Sequence, residues 1–197
     1  MKKFLHVGCG AKNKYDTTRE FALWQELRYD IDASVTPEIM GSMTDMSVVQ
    51  NESVDAIFSS HNLEHLYFHE IPIALSEFYR VITKEGYVVI TCPDLQSVCS
   101  LVADDKLEEV AYVSPAGPIS PVDIIFGYRT AIKSGNYYMA HKSGFTLKTL
   151  IKYFESIGFK RTISFTRKNP YFDIWMIAFK EHVSDEIMKK TAVMHFP

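Results

Sequence analysis

The sequence predicts an α/β fold, a doubly wound sheet that is mostly parallel with an antiparallel terminal strand. Three observations predict it. Apolar, strand-like runs alternate with stretches of helical periodicity, and two consecutive strands close the pattern. The first run, Phe4 to Val7, stops abruptly at Gly8-Cys9-Gly10, the turn with which a nucleotide-binding sheet begins. Polar residues able to do chemistry fall at the predicted strand ends: Gly8–Gly10, Asp30, Ser59–Asn62 and Cys92–Asp94. In a doubly wound sheet such ends converge on one crevice, where the strand order reverses.

Each element has its own signal. After Gly10, the polar stretch from Ala11 to Asp16 reads as loop, and Thr17 or Thr18 can cap a short helix through Trp24. The second strand ends at Asp30–Asp32. Pro37, Gly41 and Ser42 leave room only for a short third strand near Ile39-Met40. A fourth buried strand covers Val54 to Ser59, followed by the polar cluster Ser60-His61-Asn62. Pro72 suits the first turn of a helix whose apolar face is Ile71, Leu75, Phe78, Tyr79 and Ile82, with Gly86 as its stop. Tyr87 to Cys92 is apolar without alternation, as in a parallel strand covered on both faces, and Pro93 ends it. From Asp94 to Ala140 the pattern loosens around a Pro-rich loop at 114–121. Thr146 caps a helix carrying Leu147, Leu150, Ile151, Phe154 and Ile157, closed by Gly158. Strands at about 161–167 and 172–180 follow, joined by a turn at Asn169-Pro170, and Ser184 can cap a final helix.

Composition bounds the function classes. A chain of 197 residues, 47% hydrophobic and 23% charged, is long enough to bury a sizeable core as one domain. The net charge of −3 and the scattered Lys and Arg speak against nucleic acid. No apolar stretch approaches the roughly 20 residues that span a bilayer, so no membrane role is expected. Cys9, Cys92 and Cys99 form no Cys-x-x-Cys pair and leave an odd count, which fits a reducing cytoplasm.

The turn at the first strand defines a ligand class. Gly8 can adopt a positive φ, and Gly10 lets a ligand lie against its backbone. Asp30 follows at the spacing where a carboxylate holds ribose hydroxyls. The dinucleotide fingerprint would place a third glycine at position 13, which is Asn, and no phosphate-cradling Gly-Lys-Ser/Thr loop exists. The ligand expected is a ribose and adenine with a carboxylate tail and no diphosphate.

Leu5 to Gly10, the Asp30 strand, Val54 to Ile57, Ser60-His61-Asn62-Leu63-Glu64-His65-Leu66, Phe78 to Ile82, Gly86 to Leu95 and His141 to Thr146 together resemble the class I S-adenosylmethionine-dependent methyltransferases, in particular the small type 11 group. The resemblance covers roughly residues 4–180. It implies a Rossmann-like methyltransferase sheet and S-adenosyl-L-methionine as the cofactor. It also implies a single domain over residues 1–197, with an insertion at about 96–145 capping the pocket. By the same resemblance Gly8 and Gly10 face the methionine end, Asp30 holds the ribose, Ser42 and Met43 lie by the adenine, and Ser59, Ser60 and His61 lie near the methyl. Three positions depart from the family pattern. His6 stands for the usual Asp, Lys12 for the third glycine, and Ser42 for the adenine-side Asp, with Asp45 as a candidate substitute.

Methyl transfer from a sulfonium is an in-line displacement in which the protein mainly positions the reactants. A base is needed only where the acceptor loses a proton, and His61, His65 and His141 are the candidates, with His61 and His141 preferred. His61 can equally bind the strand end or the cofactor carboxylate, and His65 reads as structural. Tyr128, Arg129 and Tyr138 are expected to contact a small-molecule acceptor. The segment from about Tyr112 to Phe145 that carries them reads either as the acceptor wall or as a cover or homodimer contact. His61-x-x-Glu64-His65 also matches an inverted zinc-peptidase signature, but such an enzyme needs neither the glycine turn nor Asp30. No metal is expected. The main alternative is a non-catalytic S-adenosylmethionine-binding protein, because fold does not fix function.

Overall fold

β1 (Lys3–Val7) is built from the apolar run at the N-terminus and is buried from Phe4 onward. In the computed structural model, which describes residues 1–197, it lies inside a seven-stranded sheet. β2 (Gln25–Asp30) and β4 (Val54–Ser60) flank it in parallel, β3 (Ile39–Met40) adds to β2, and β5 (Ile82–Pro93) adds to β4. Past β5 the sheet closes with β9 (Asp173–Phe179), antiparallel to β5, and then β8 (Arg161–Arg167), antiparallel to β9. The order is β3-β2-β1-β4-β5-β9-β8. The chain leaves β1 in one direction to make β2 and β3, then returns to make β4 and β5 on the other side. The reversal therefore falls between β1 and β4, and their C-terminal ends flank the crevice.

Helices cover both faces. On one face α1 (Ile71–Val81) and α5 (Leu147–Ile157) bury Leu75, Phe78, Leu150 and Phe154 against Leu5, Ile57, Val88 and Met176. Thr146 caps α5 by accepting the N–H of Thr149, as expected. On the other face Phe4, Phe21, Trp24, Phe58, Tyr87 and Phe179 pack beneath α6 (Asp185–His195), which Ser184 caps. Aromatic side chains remove large apolar areas from water, so each contributes strongly to the core it joins.

The region between β5 and α5 folds as a separate layer. It contains α2 (Leu95–Ala103), a hairpin of β6 (Tyr112–Ser114) and β7 (Gly117–Ile119), α3 (Pro121–Phe126), α4 (Arg129–Lys133) and a 3-10 turn at Tyr137–Met139. Val98, Ile119 and Ile124 of this layer form a small core with Phe172, which comes from the connection between β8 and β9. The Pro-rich stretch is thus a hairpin rather than a plain loop.

Two further expectations are corrected. Residues 17–24 form no helix. They hold one short 3-10 turn, Phe21–Leu23, and another, Lys14–Asp16, lies just before them. The hydroxyl of Thr18 is taken by His195 Nδ1 at 2.7 Å, so it caps nothing. Gly86 does not stop α1, which ends at Val81 and passes directly into β5. Gly86 sits inside that strand, where a Cβ would lie 2.9 Å from the Thr83 carbonyl oxygen and 3.1 Å from that of Asp55. No helix is long and apolar enough to cross a membrane.

His195 locks α6 to the sheet. Its Nδ1 meets Thr18 and its Nε2 meets the Tyr87 hydroxyl at 2.8 Å, with the ring 4.5 Å from that of Phe21. Burial disfavours the imidazolium and pushes its pKa from 6.5 down to about 4. Between those values the unfolded chain takes up the proton and the folded chain does not. The stability His195 contributes is therefore complete above pH 6.5 and is lost as pH falls toward 4. The loss expected is about 3 kcal/mol, since each tenfold change in proton affinity is worth about 1.4 kcal/mol. Urea melts across this range should show it in the wild type and show a flatter profile in His195→Gln; equal profiles would refute the assignment.

Candidate functional site

The turn after β1 is shaped by what surrounds it. Gly8 has φ +65° and Gly10 φ +54°, conformations that L side chains rarely adopt. The two glycines differ in the space beside them. A Cβ on Gly8 would fall 2.0 Å from the side-chain oxygen of Asn62, whereas one on Gly10 would meet nothing within 4 Å. Asn62 holds this place by donating to the carbonyl of Val7 at 3.0 Å and to Ser59 Oγ at 3.2 Å. The open side of Gly10 faces a cavity of about 610 Å³, a size normal for a small-ligand site.

Asp30 ends β2 at the edge of this cavity and is 8% exposed. Its Oδ2 accepts the N–H of Gly10 at 2.7 Å and its Oδ1 that of Asp32 at 2.9 Å. Each oxygen keeps a lone pair for a ligand hydroxyl. Ser42 and Met43 border the same cavity, and Tyr29 fixes their loop by donating its hydroxyl to the carbonyls of Ser42 and Asp45. Asp45 does not border the cavity; its carboxylate accepts the N–H of Ser47 instead.

Two features of this end have no signal in the sequence. Arg28 donates to the carbonyls of Gly10, Lys12, Val35 and Thr36 at 2.7–3.0 Å, fastening the loops after β1 and β2. His6, which borders the cavity, bonds Glu26 at 2.7 Å, and Glu26 also accepts the N–H of Lys14 at 2.9 Å. Burial lowers the pKa of His6, with Glu26 pulling the other way. Burial likewise pushes the Cys9 thiol up to about 11, which removes it as a nucleophile near neutral pH.

Ser60 and Asn62, just past β4, also line the cavity, as do His61, His65, Tyr138, Met139 and Lys142. His61 sits in the left-handed region at φ +57°, with its Nδ1 3.4 Å from Glu64 Oε1. That spacing is an ion-pair distance without hydrogen-bond geometry, and both oxygens of Glu64 are buried with no hydrogen-bond partner. Burial alone would raise the pKa of Glu64. The imidazoles of His61, His65 and His141 together reverse this and hold it below the ordinary value. Residues 61–65 are not α-helical. Only Leu63–His65 form a 3-10 turn, so His61 and His65 do not sit one helical turn apart as the zinc-peptidase signature requires.

The remaining expected site residues lie elsewhere. Ser59 is fully buried and supports Asn62 without reaching the cavity. His141 stands behind the cavity wall, its Nδ1 bonded to the Ile124 carbonyl at 2.8 Å and its ring 4.9 Å from that of His65. Tyr128 and Arg129 do not wall the large cavity. They border a separate, open depression of about 300 Å³. The cause is charge pairing within the inserted layer: Arg129 binds Asp123 at 2.8 Å and Glu108 at 3.2 Å, and Tyr128 donates to the Ala116 carbonyl.

The family model described as a methyltransferase domain matches residues 5–90. Among solved structures, a SAM-dependent methyltransferase from Archaeoglobus fulgidus is similar at 16% identity and TM-score 0.59, covering 90% of this chain and 85% of that one. A protein from Pyrococcus horikoshii is similar at 11% identity and TM-score 0.62, covering 91% and 82%. A SAM-dependent methyltransferase from Methanosarcina mazei gives 13% and 0.58, covering 91% and 93%. At these identities the likeness is one of fold. No curated protein matches the sequence. The methyltransferase-domain match falls on the glycine turn, Asp30 and the 54–66 segment, and the fold that surrounds them is one this chain shares with solved S-adenosylmethionine-dependent methyltransferases.

Proposed function

We propose that the protein transfers the methyl group of S-adenosylmethionine to a small-molecule acceptor. The observation that carries this reading is one cavity lined both by a glycine turn with a carboxylate, Gly8, Gly10 and Asp30, and by His61, His65 and Tyr138. Gly8, Gly10, Asp30, Ser42, Met43 and Ser60 form the cofactor end, with Asp30 on the ribose hydroxyls. Ser59 acts behind them through Asn62. In the reaction a lone pair of the acceptor attacks the methyl carbon and the C–S bonding pair returns to sulfur, leaving a neutral thioether. His61 takes the acceptor proton where one must leave.

The domain is read as residues 1–197, with the insertion at about 96–145 capping the pocket. Asn136, Tyr138 and Met139 reach the cavity from that insertion and support the reading. An acceptor walled in this way is small, and the scattered positive charge offers no track for a nucleic acid. Three free cysteines fit a reducing cytoplasm. The exposed rings of Tyr67, Phe68 and Tyr137 offer the contact for a homodimer, which sedimentation of the pure protein checks.

Asp30→Ala should weaken S-adenosylmethionine binding by about 1–3 kcal/mol in calorimetry, the range for leaving charge-assisted hydrogen bonds unmade. No binding by the wild type, or tighter binding of a nicotinamide dinucleotide, would reject the reading. On the acceptor side, Tyr138→Ala should lower turnover of a screened acceptor at least roughly tenfold with cofactor affinity kept, as for a lost positioning group. Arg129→Ala, whose charge is spent on Asp123, should leave turnover unchanged. The reverse result would move the acceptor to the depression beside Arg129.

A further inference from the structure

Glu64 poses a problem that the methyltransferase reading does not solve. Its side chain is 1% exposed, and neither carboxylate oxygen has a hydrogen-bond partner. A buried anion in that state is strongly disfavoured unless a cation sits beside it. Lys142 donates its backbone N–H to the Glu64 carbonyl, yet its side chain turns away, with its Nζ 4.9 Å from the centre of the Tyr67 ring. The groups that do approach Glu64 are imidazoles, the exposed one of His61 at 3.4 Å among them. One donor atom from each of Glu64, His65 and His141 lies within 4.8 Å of the others.

The two imidazoles are oriented alike. His65 Nδ1 lies 3.2 Å from the Ala140 carbonyl and His141 Nδ1 lies 2.8 Å from the Ile124 carbonyl. A carbonyl can only accept, so each ring carries its proton on Nδ1 and keeps the Nε2 lone pair free. Fixing a ring in this way through its other nitrogen is how metal-binding histidines are usually held. The cluster is also anchored in the backbone: the N–H groups of Lys142 and Ser143 both donate to the Glu64 carbonyl, at 2.8 and 3.1 Å. Ser143 Oγ reaches the Leu63 carbonyl at 3.3 Å. The limb returning from the insertion is thus fastened to the 63–65 turn.

We propose that Glu64, His65 and His141 form a binding site for a divalent transition-metal ion of the zinc class, at the acceptor end of the cavity. This rests on the proposed function only for what the ion does, not for its binding. Two imidazoles and one carboxylate are a donor set suited to Zn²⁺, and three protein ligands leave a fourth position for water or an acceptor oxygen. Closure onto an ion draws the donor atoms to about 3.4 Å apart, the spacing for tetrahedral bonds of about 2.1 Å. His65 alone of the three borders the cavity. An acceptor hydroxyl bound to the ion there gives its proton to His61 or to water, and the resulting alkoxide attacks the methyl carbon as the C–S pair leaves to sulfur. The set differs from the peptidase signature, since His61 is not a ligand and His141 comes from the insertion.

The test uses untagged full-length protein stripped with a chelator and titrated with Zn²⁺ alone in a calorimeter. One equivalent per chain is expected. Glu64→Gln, His65→Ala and His141→Ala should each weaken uptake at least about 100-fold, since even residues behind a metal's ligands change affinity by about 10- to 100-fold. Co²⁺ in the wild type should give the visible absorption of a four- or five-coordinate site, which decides the matter should a variant not fold. No stoichiometric uptake, or uptake indifferent to all three substitutions, overturns the proposal. Calorimetry with S-adenosylmethionine on the same samples separates the two readings. Cofactor binding without zinc uptake rejects the metal site alone, and zinc uptake without cofactor binding rejects the proposed function alone.

Discussion

The hydrogen bond from the N–H of Gly10 to the carboxylate of Asp30 is the contact on which the rest of the site depends. It ties the end of β1 to the end of β2 at the point where the sheet's order reverses. For Gly10 to present that N–H, the chain must turn sharply at Gly8, and the turn is possible only with positive φ at both glycines. The turn in turn needs a floor. Asn62, at the end of β4, supplies it by filling the space a Cβ on Gly8 would need. Three adjacent parallel strands are therefore fixed at one edge by two glycines, one carboxylate and one amide. A ligand then meets a preformed surface rather than one it must order, which avoids part of the entropy of binding.

Two of the three departures from the family pattern, Lys12 and His6, have physical replacements, while Ser42 has none in Asp45, which does not border the cavity. Lys12 stands where the resemblance would place a glycine, and it does not lie in the left-handed region. Its carbonyl is held by Arg28, which also takes that of Gly10, so a guanidinium fork fastens a loop that a third glycine would otherwise shape. His6 stands for an aspartate, and the missing carboxylate is supplied from the neighbouring strand by Glu26, which bonds both His6 and the N–H of Lys14. Negative charge and loop anchoring are both kept, from different positions. A motif scored residue by residue would count these as losses.

The same physics sets what is legible in the sequence. The sheet's strands stand out as apolar runs, because strands covered on both faces need no polar alternation. Asp30 is legible because its partner is a glycine turn at a fixed spacing along the chain. Arg28 is not, since its acceptors are carbonyls whose positions depend on two folded loops. The 17–24 segment misleads for a similar reason: Thr18 has a capping side chain, but its hydroxyl is claimed by His195, 177 residues away in sequence. Tyr128 and Arg129 mislead because an aromatic and a cation in an insertion suggest a ligand wall. Asp123, six residues before Arg129, satisfies the cation locally and draws it from the cavity.

The surroundings of Glu64 show the same limit from the opposite side. Glu64 and His65 read as part of a local signature, and the helical spacing of that signature points to His61 as their companion. The backbone denies that geometry by placing His61 at positive φ and allowing only a 3-10 turn at 63–65. His61 still approaches Glu64, at 3.4 Å, but His141 joins it, brought in by the two N–H groups of Lys142 and Ser143 that close on the Glu64 carbonyl. A main-chain contact between segments nearly 80 residues apart thus decides which side chains meet the buried carboxylate. No spacing along the chain encodes that contact. It follows from an inserted layer that must return to the sheet edge to begin α5, and the shortest return passes over the turn that carries Glu64.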